Sequence, residues 1–168
     1  MISFLLTRDV HEPERRSGDA GIDLYVPEFS EEMGKMVAEM NGDDCILNKT
    51  GIFVLPHNIV KIPLGIKSSF DNNLAMVIMN RSSVATQKGL DVMACVIDSS
   101  YQGEWVLSMC NTSGSIVSIK YGSKITQVLP LYINNEVFGI MKGRSDREFF
   151  GGKTERGDKG FGSTDKLS

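Results

Sequence analysis

Residues 51–63 read GIFVLPHNIVKIP, and the way these letters divide decides the fold. Two apolar stretches of strand length, 51–55 and 59–63, are separated by Pro56, His57 and Asn58. Similar stretches recur at 2–6, 22–26, 74–79, 92–97, 105–110, 116–119 and 125–133, with Gly, Pro, Asn and Asp between them. Short strands spaced by turn residues predict an all-β domain, a sandwich or barrel.

Two segments depart from this pattern. Ser30-Glu31-Glu32-Met33 opens a helical period, with Met33, Met36, Val37 and Met40 on one face and Asn41-Gly42 as the stop. That methionine stripe reads as a packing face, because Met fills irregular gaps well. Residues 82–88 predict a second short helix that Ser82 or Ser83 could cap.

The 168 residues suit one domain with a core of its own. A formal net charge of −3 leaves no basic surplus for binding a duplex, so direct nucleic-acid binding is not expected. No apolar run approaches the ~20 residues of a bilayer-spanning helix, so no membrane partner is expected either. Residues 1–8 lack the basic-then-apolar order of a signal peptide, and three cysteines without a C-x-x-C pair read as reduced thiols. Both point to the cytoplasm. Two histidines, His11 and His57, make a His/Cys zinc site improbable.

Residues 142–168 change character, with six glycines, many charges and almost no aliphatics. Composition predicts a flexible arm there and places the barrel domain at 1–141. Within the arm, RGDKGFGSTD (156–165) sets Gly157, Gly160 and Gly162 around Phe161 and follows Arg156 closely. Such a segment can offer backbone N–H groups to an anion, and it lacks the G-K-[ST] ending of a phosphate-binding P-loop.

Further signals concern chemistry. Asp98 in VIDSSYQGEW (96–105) follows an apolar run, where an unpaired carboxylate is costly unless it faces a pocket. Arg81-Ser82-Ser83 sits at a strand-to-helix junction, and a helix N-terminus suits phosphate. Gln127 is a polar amide in the apolar run 125–133 and needs a partner, structural or ligand. Asp23 stands in DAGIDLY (19–25), a turn leading into a strand. Two acids, two arginines and a glycine-rich arm together suit a nucleotide polyphosphate with a divalent cation.

In order, DAGIDLY (19–25), NRSSVATQKGL (80–90), LDVMACVIDSSYQGEW (90–105), GSKITQVLPL (122–131) and RGDKGFGSTD (156–165) resemble the five motifs of the trimeric dUTP pyrophosphatases. The resemblance implies a distorted jelly-roll β-barrel, assembled as a homotrimer with active sites shared between subunits. It implies hydrolysis of dUTP to dUMP and pyrophosphate, which limits uracil incorporation into DNA and supplies dUMP for thymidylate synthesis.

By the same resemblance Asp98 activates the attacking water. The hairpin from Cys95, Val96 and Ile97 to Val106 would hold the uracil edge through its backbone. Tyr101 would pack under the deoxyribose, while Trp105 reads as an ordinary core aromatic. Arg81, Ser82, Ser83 and Gln127 correspond to phosphate contacts. Asp23 corresponds to an acid acting on Mg²⁺ through water, the ion being held mainly by the phosphates. Phe161 would stack on uracil, Arg156 would pair the γ-phosphate, and Gly162, Ser163 and Thr164 would donate hydrogen bonds.

Several positions depart from the motifs: Ile22, Asn80, Met93, Cys95, Gln102 and Asp165. Residues 28–50, with the methionine-striped helix, read as an insertion and as a place for a protein partner. Two alternatives stay open, a related dCTP deaminase and a regulatory binding protein that uses the inserted helix.

Overall fold

The structure, a computed structural model, describes residues 1–134, 142 and 145–151. The first strands are β1 (Ser3–Leu6), β2 (Ile22–Tyr25), β3 (Cys45–Asn48) and β4 (Gly51–Val54). Next come β5 (Ile59–Pro63), β6 (Ile66–Ser69), β7 (Leu74–Asn80) and β8 (Leu90–Ala94). The last are β9 (Val96–Ile97), β10 (Val106–Asn111), β11 (Val117–Lys120) and β12 (Lys124–Tyr132). Helix α1 (Glu31–Asn41) follows β2, α2 (Ser82–Lys88) follows β7, and a short α3 (Asp146–Phe150) lies in the C-terminal part. By contacts the chain forms two units, Met1–Ile133 and Asn134–Ser168. In the second, Ser145 caps α3 and its N–H donates to Glu148 (2.9 Å), a capping box within the stretch expected to be an arm.

The division at 56–58 is present, but the strands it separates do not pair with each other. β4 lies between β11 and β3, whereas β5 pairs with β10, which also carries β8. Two further antiparallel sheets are β1–β6 and β2–β12–β7–β9. Among the described residues only β3 and β4 are both consecutive and paired, and such crossing connections are those of a jelly-roll β fold. His57 turns the chain between sheets at φ 60, and its N–H donates to the Asn111 carbonyl (2.9 Å).

Alternation sets the core. Val60 and Ile62 of β5, Leu107 and Met109 of β10, and Ile52 and Val54 of β4 are wholly buried in one cluster with Trp105. β-branched and large side chains pack well on such half-buried pleated surfaces. Trp105 is indeed a core aromatic, donating Nε1–H to Ser68 Oγ (3.1 Å) and standing edge-on to Phe4.

Helix α1 forms as its period predicts. Ser30 accepts from the Met33 N–H (3.0 Å), and Met33 and Val37 are fully buried in the common core. For α2 the expected serine cap is replaced. Arg81 holds the N-cap position without a side-chain cap, and Ser82 and Ser83 lie exposed in the first turn. The expected strand at 92–97 is two strands. Val92 lies in β8, paired to β10, and after Cys95 the chain joins β7 as β9.

Asn111 is fully buried, and its amide nitrogen lies within hydrogen-bonding distance of the carbonyls of Val54 (3.1 Å), Leu55 (3.2 Å) and Ser115 (2.8 Å). Its oxygen accepts from the Ser113 N–H and hydroxyl. Asn111→Ala leaves those buried groups unpaired, so a loss of about 3 kcal/mol is expected in denaturant unfolding, with the midpoint lowered and the slope unchanged.

Candidate active site

The centre of the site is the sheet β2–β12–β7. Gln127 on β12 lies opposite Asp23 on β2 and Met79 on β7, and Arg81 comes two residues after Met79. Residues directly opposite on antiparallel strands share a face, so Asp23, Gln127 and Arg81 meet on one side. Ser82 and Ser83 follow in the first turn of α2. The five enclose a cleft of about 430 Å³, completed by Arg16, Asp19 and Lys124.

Charges in the cleft alternate. Arg81 Nε donates to Asp23 Oδ1 (3.0 Å), and Lys124 Nζ meets Asp23 Oδ2 (2.9 Å) and Glu14 Oε2 (2.7 Å). Tyr25 donates its hydroxyl to the same Glu14 oxygen (2.8 Å). Hydrogen bonds from Lys124 and then Tyr25 bring the Glu14 carboxyl down to about 2. Hydrogen bonding to Glu14, then to Asp23, pushes the Lys124 ammonium well above its ordinary value. Lys124 therefore stays charged across the whole physiological range.

Gln127 finds a structural partner, donating Nε2–H to the Asn80 carbonyl (2.8 Å). A Cβ at Gly21 would collide with Gln127 Oε1, so the glycine lets β2 approach the amide. Asn80, one of the departures from the motifs, joins β7 to β8. Its Oδ1 accepts from the Val92 N–H (2.9 Å) and its Nδ2 donates to Asp91.

Asp98 does not enter this cleft within one chain. Ile97 pairs with Met76 and Val96 with Val77, so Asp98 falls level with Ala75. That is five residues down β7 from Asn80, about 17 Å at strand rise. Asp98 is exposed, and its carbonyl accepts from the Tyr101 N–H (3.1 Å) to close a turn. Tyr101 is 43% exposed, with its hydroxyl donating to the Glu104 carbonyl (2.9 Å). Its ring covers Gly103, where a Cβ would collide with the phenolic oxygen. The expected hairpin is a loop, since β9 pairs with β7 and β10 with β5 and β8; Met93, Cys95 and Val96 are exposed beside it, Ile97 and Val106 half-buried.

The loop is tied to the segment just after β1 by a pair that the sequence did not reveal. Arg8 donates from Nε to Glu104 Oε1 (2.9 Å) and from a terminal nitrogen to Oε2 (2.7 Å), and the Gly65 N–H also donates to Oε1 (2.8 Å). Burial alone would raise the Glu104 carboxyl. The Arg8 and Gly65 hydrogen bonds outweigh it and hold the group below its ordinary value.

Arg156, Phe161, Gly162, Ser163 and Thr164 lie outside the described residues. Among the described residues no group of three His, Cys, Asp or Glu side chains is placed to hold a metal ion. Both Asp23 oxygens are taken by Arg81 and Lys124, which fits a role toward a cation through water and not as a direct ligand.

Arg16, Lys124 and Glu14 escaped the sequence reading. Lys124 lies within GSKITQ, but strict alternation would put it on the face opposite Gln127, three residues on. A bulge between Lys124 and Thr126 shifts the register and brings both into the cleft.

Fold and cleft together define a jelly-roll β protein with a polar cleft lined by charges of both signs. The family model described as dUTPase matches residues 44–165. The deoxyuridine 5'-triphosphate nucleotidohydrolase of Actinobacillus pleuropneumoniae serotype 3 is 32% identical over 123 residues, 71% of this chain and 77% of that protein. The Staphylococcus bacteriophage 80alpha dUTPase with dUPNHPP superposes at a TM-score of 0.72, covering 98% of both chains at 17% identity. A mutant dUTPase of phage phi11 of S. aureus, described with a structural Mg(II) ion, superposes at 0.63 and 16% identity, covering 84% of this chain and 97% of that one. The chain belongs to the dUTPase family.

Proposed function

We propose that this chain hydrolyses dUTP to dUMP and pyrophosphate, as a homotrimer whose active sites combine residues of different copies. The observation that carries the reading is the cleft, where Arg81, Ser82, Ser83 and Gln127 line one anion-sized space. The separation of Asp98 from Arg81 along β7 supports the shared site, because a second copy must then supply the acid. Mg²⁺ would be held mainly by the triphosphate, with Asp23 acting on it through water, and would neutralise part of the phosphate charge.

The chain's own groups do the rest. Arg81 and the Ser82 and Ser83 hydroxyls and amides bind phosphate oxygens, and Asp23 orients Arg81. On the 98–105 loop of another copy, Asp98 accepts a proton from water as its oxygen attacks the α-phosphorus. The bond from that phosphorus to the bridging oxygen breaks, and pyrophosphate leaves. Backbone groups at Cys95, Val96, Ile97 and Val106 pair with the uracil edge and leave cytosine's reversed donor pattern unsatisfied. Tyr101 packs under the deoxyribose and leaves no room for a 2′-hydroxyl. Arg156, Phe161, Gly162, Ser163 and Thr164 close over the bound nucleotide.

The test is pyrophosphate release with Mg²⁺ from dUTP, dTTP, dCTP and UTP in parallel. Release from dUTP alone is expected. Ammonia from dCTP would replace this reading with a deaminase, and a folded assembly inert toward all four would replace it with a binding role.

A further inference from the structure

The chain of ion pairs Arg16–Glu14–Lys124–Asp23–Arg81 is larger than a phosphate contact needs. Arg81 is anchored to Asp23 through Nε, and its terminal nitrogens donate to no described residue. Those nitrogens form the half of the guanidinium fork suited to two parallel bonds to a phosphate. An unhindered carboxylate beside an arginine would itself take such a bidentate pair. Here it takes only one bond, because Lys124 holds the second oxygen, Asp23 Oδ2, at 2.9 Å.

Lys124 is itself fixed. Its ammonium lies 2.7 Å from Glu14 Oε2 and 5.5 Å from the centre of the Tyr25 ring. Glu14 is fixed in turn by the Tyr25 hydroxyl and by a backbone bridge to Asp23, with N–H to carbonyl distances of 3.1 and 2.7 Å. Lys124 and Asp23 side chains are each 23% exposed and Arg81 28%, so water competes less for the Lys124–Asp23–Arg81 contacts than at Glu14, which is 44% exposed.

We propose that Lys124, held by Glu14, is a positioning residue: it occupies one oxygen of Asp23 so that the Arg81 fork stays free for the substrate's phosphates. The proposal rests on the cleft being the phosphate site and adds what keeps that site open. Without Lys124, Asp23 turns both oxygens to Arg81 and competes with phosphate for the same nitrogens.

The test uses the full chain and two probes, calorimetric binding of inorganic tripolyphosphate and steady-state dUTP hydrolysis. Lys124→Met is expected to weaken tripolyphosphate binding about tenfold and to raise KM by a similar factor with little change in kcat. Lys124→Arg, which can still bridge both acids, is expected to stay within about twofold of the parent. Since Lys124 acts through Arg81, Lys124→Met adds nothing in an Arg81→Ala background. Additive losses there would mean direct phosphate contact by Lys124 and would overturn the proposal. So would unchanged binding in Lys124→Met, or a parent chain that binds no tripolyphosphate. A parent that binds it in this Lys124-dependent way yet leaves dUTP intact would keep the proposal and remove the dUTP reading. A parent that hydrolyses dUTP with Lys124→Met unaffected would do the reverse.

Discussion

An Asp98→Asn chain is expected to bind dUTP much as the parent does and to turn it over about 10²–10⁴-fold more slowly. Asparagine keeps the size and one acceptor of the carboxylate but cannot take a proton from water at neutral pH. The substitution is also structurally light. Asp98 is exposed at the end of β9, and the turn there is closed by its backbone carbonyl. Its side chain makes no hydrogen bond or ion pair to a described residue. Stability should therefore change by no more than about 0.5 kcal/mol, the ordinary range for an exposed position. Pyrophosphate release, thermal unfolding and analogue binding, measured on one preparation, separate the outcomes. Near-parental turnover would remove Asp98 from the chemistry, and loss of binding with loss of turnover would make it a contact and not a base.

Glu104→Ala is expected to cost as much stability as Asn111→Ala. The pair with Arg8 is bidentate, with side chains 17% and 15% exposed, and the Gly65 N–H completes it. Removing one member of a largely buried pair strands the other, at a cost of about 3 kcal/mol. The pH dependence has a definite sign. The folded Glu104 carboxyl lies below its ordinary 4.5, so its contribution is fully present above that value and falls as pH drops through the folded one. The parent should lose stability on acidification below about pH 4.5 more steeply than Glu104→Gln, whose curve lacks this component. Parallel curves in urea unfolding across pH ~3–7 would remove the pair from the account. Because Glu104 also accepts from Tyr101 through its carbonyl, loosening it would shift the loop that carries Asp98.

Much of the fold was legible because burial on one face leaves a period in the letters. The strands at 51–55 and 59–63 and the helix after Ser30 all show themselves on that basis. Strand β6 was missed because IKSS has no apolar run, and its burial comes from β1, about sixty residues away in the chain. Strand β3 was hidden inside the presumed insertion. Its letters, CILN, are strand-like, but the helix before it dominated the local pattern. Which strands pair could not be read at all, since register depends on partners remote in sequence. In the site, motif order found Asp23, Arg81, Ser82, Ser83 and Gln127, which the fold does bring together. Lys124 required a bulge, Glu14 an isolated bridge, and Arg8–Glu104 a contact across 96 positions, none of which leaves a local signal.

The segment 28–50 is less removable than an insertion sounds. β3 covers one edge of β4, while Met33, Val37 and Cys45 fill the common core. Asn41 reaches the open edge of β5, taking the Lys61 N–H at 2.7 Å and donating to its carbonyl at 2.8 Å, as a neighbouring strand would. Excising the segment would bare two strand edges and hollow the interior at once. The segment is a foundation of this fold, and a chain that carries it cannot lose it in a single step without losing core and strand edges together.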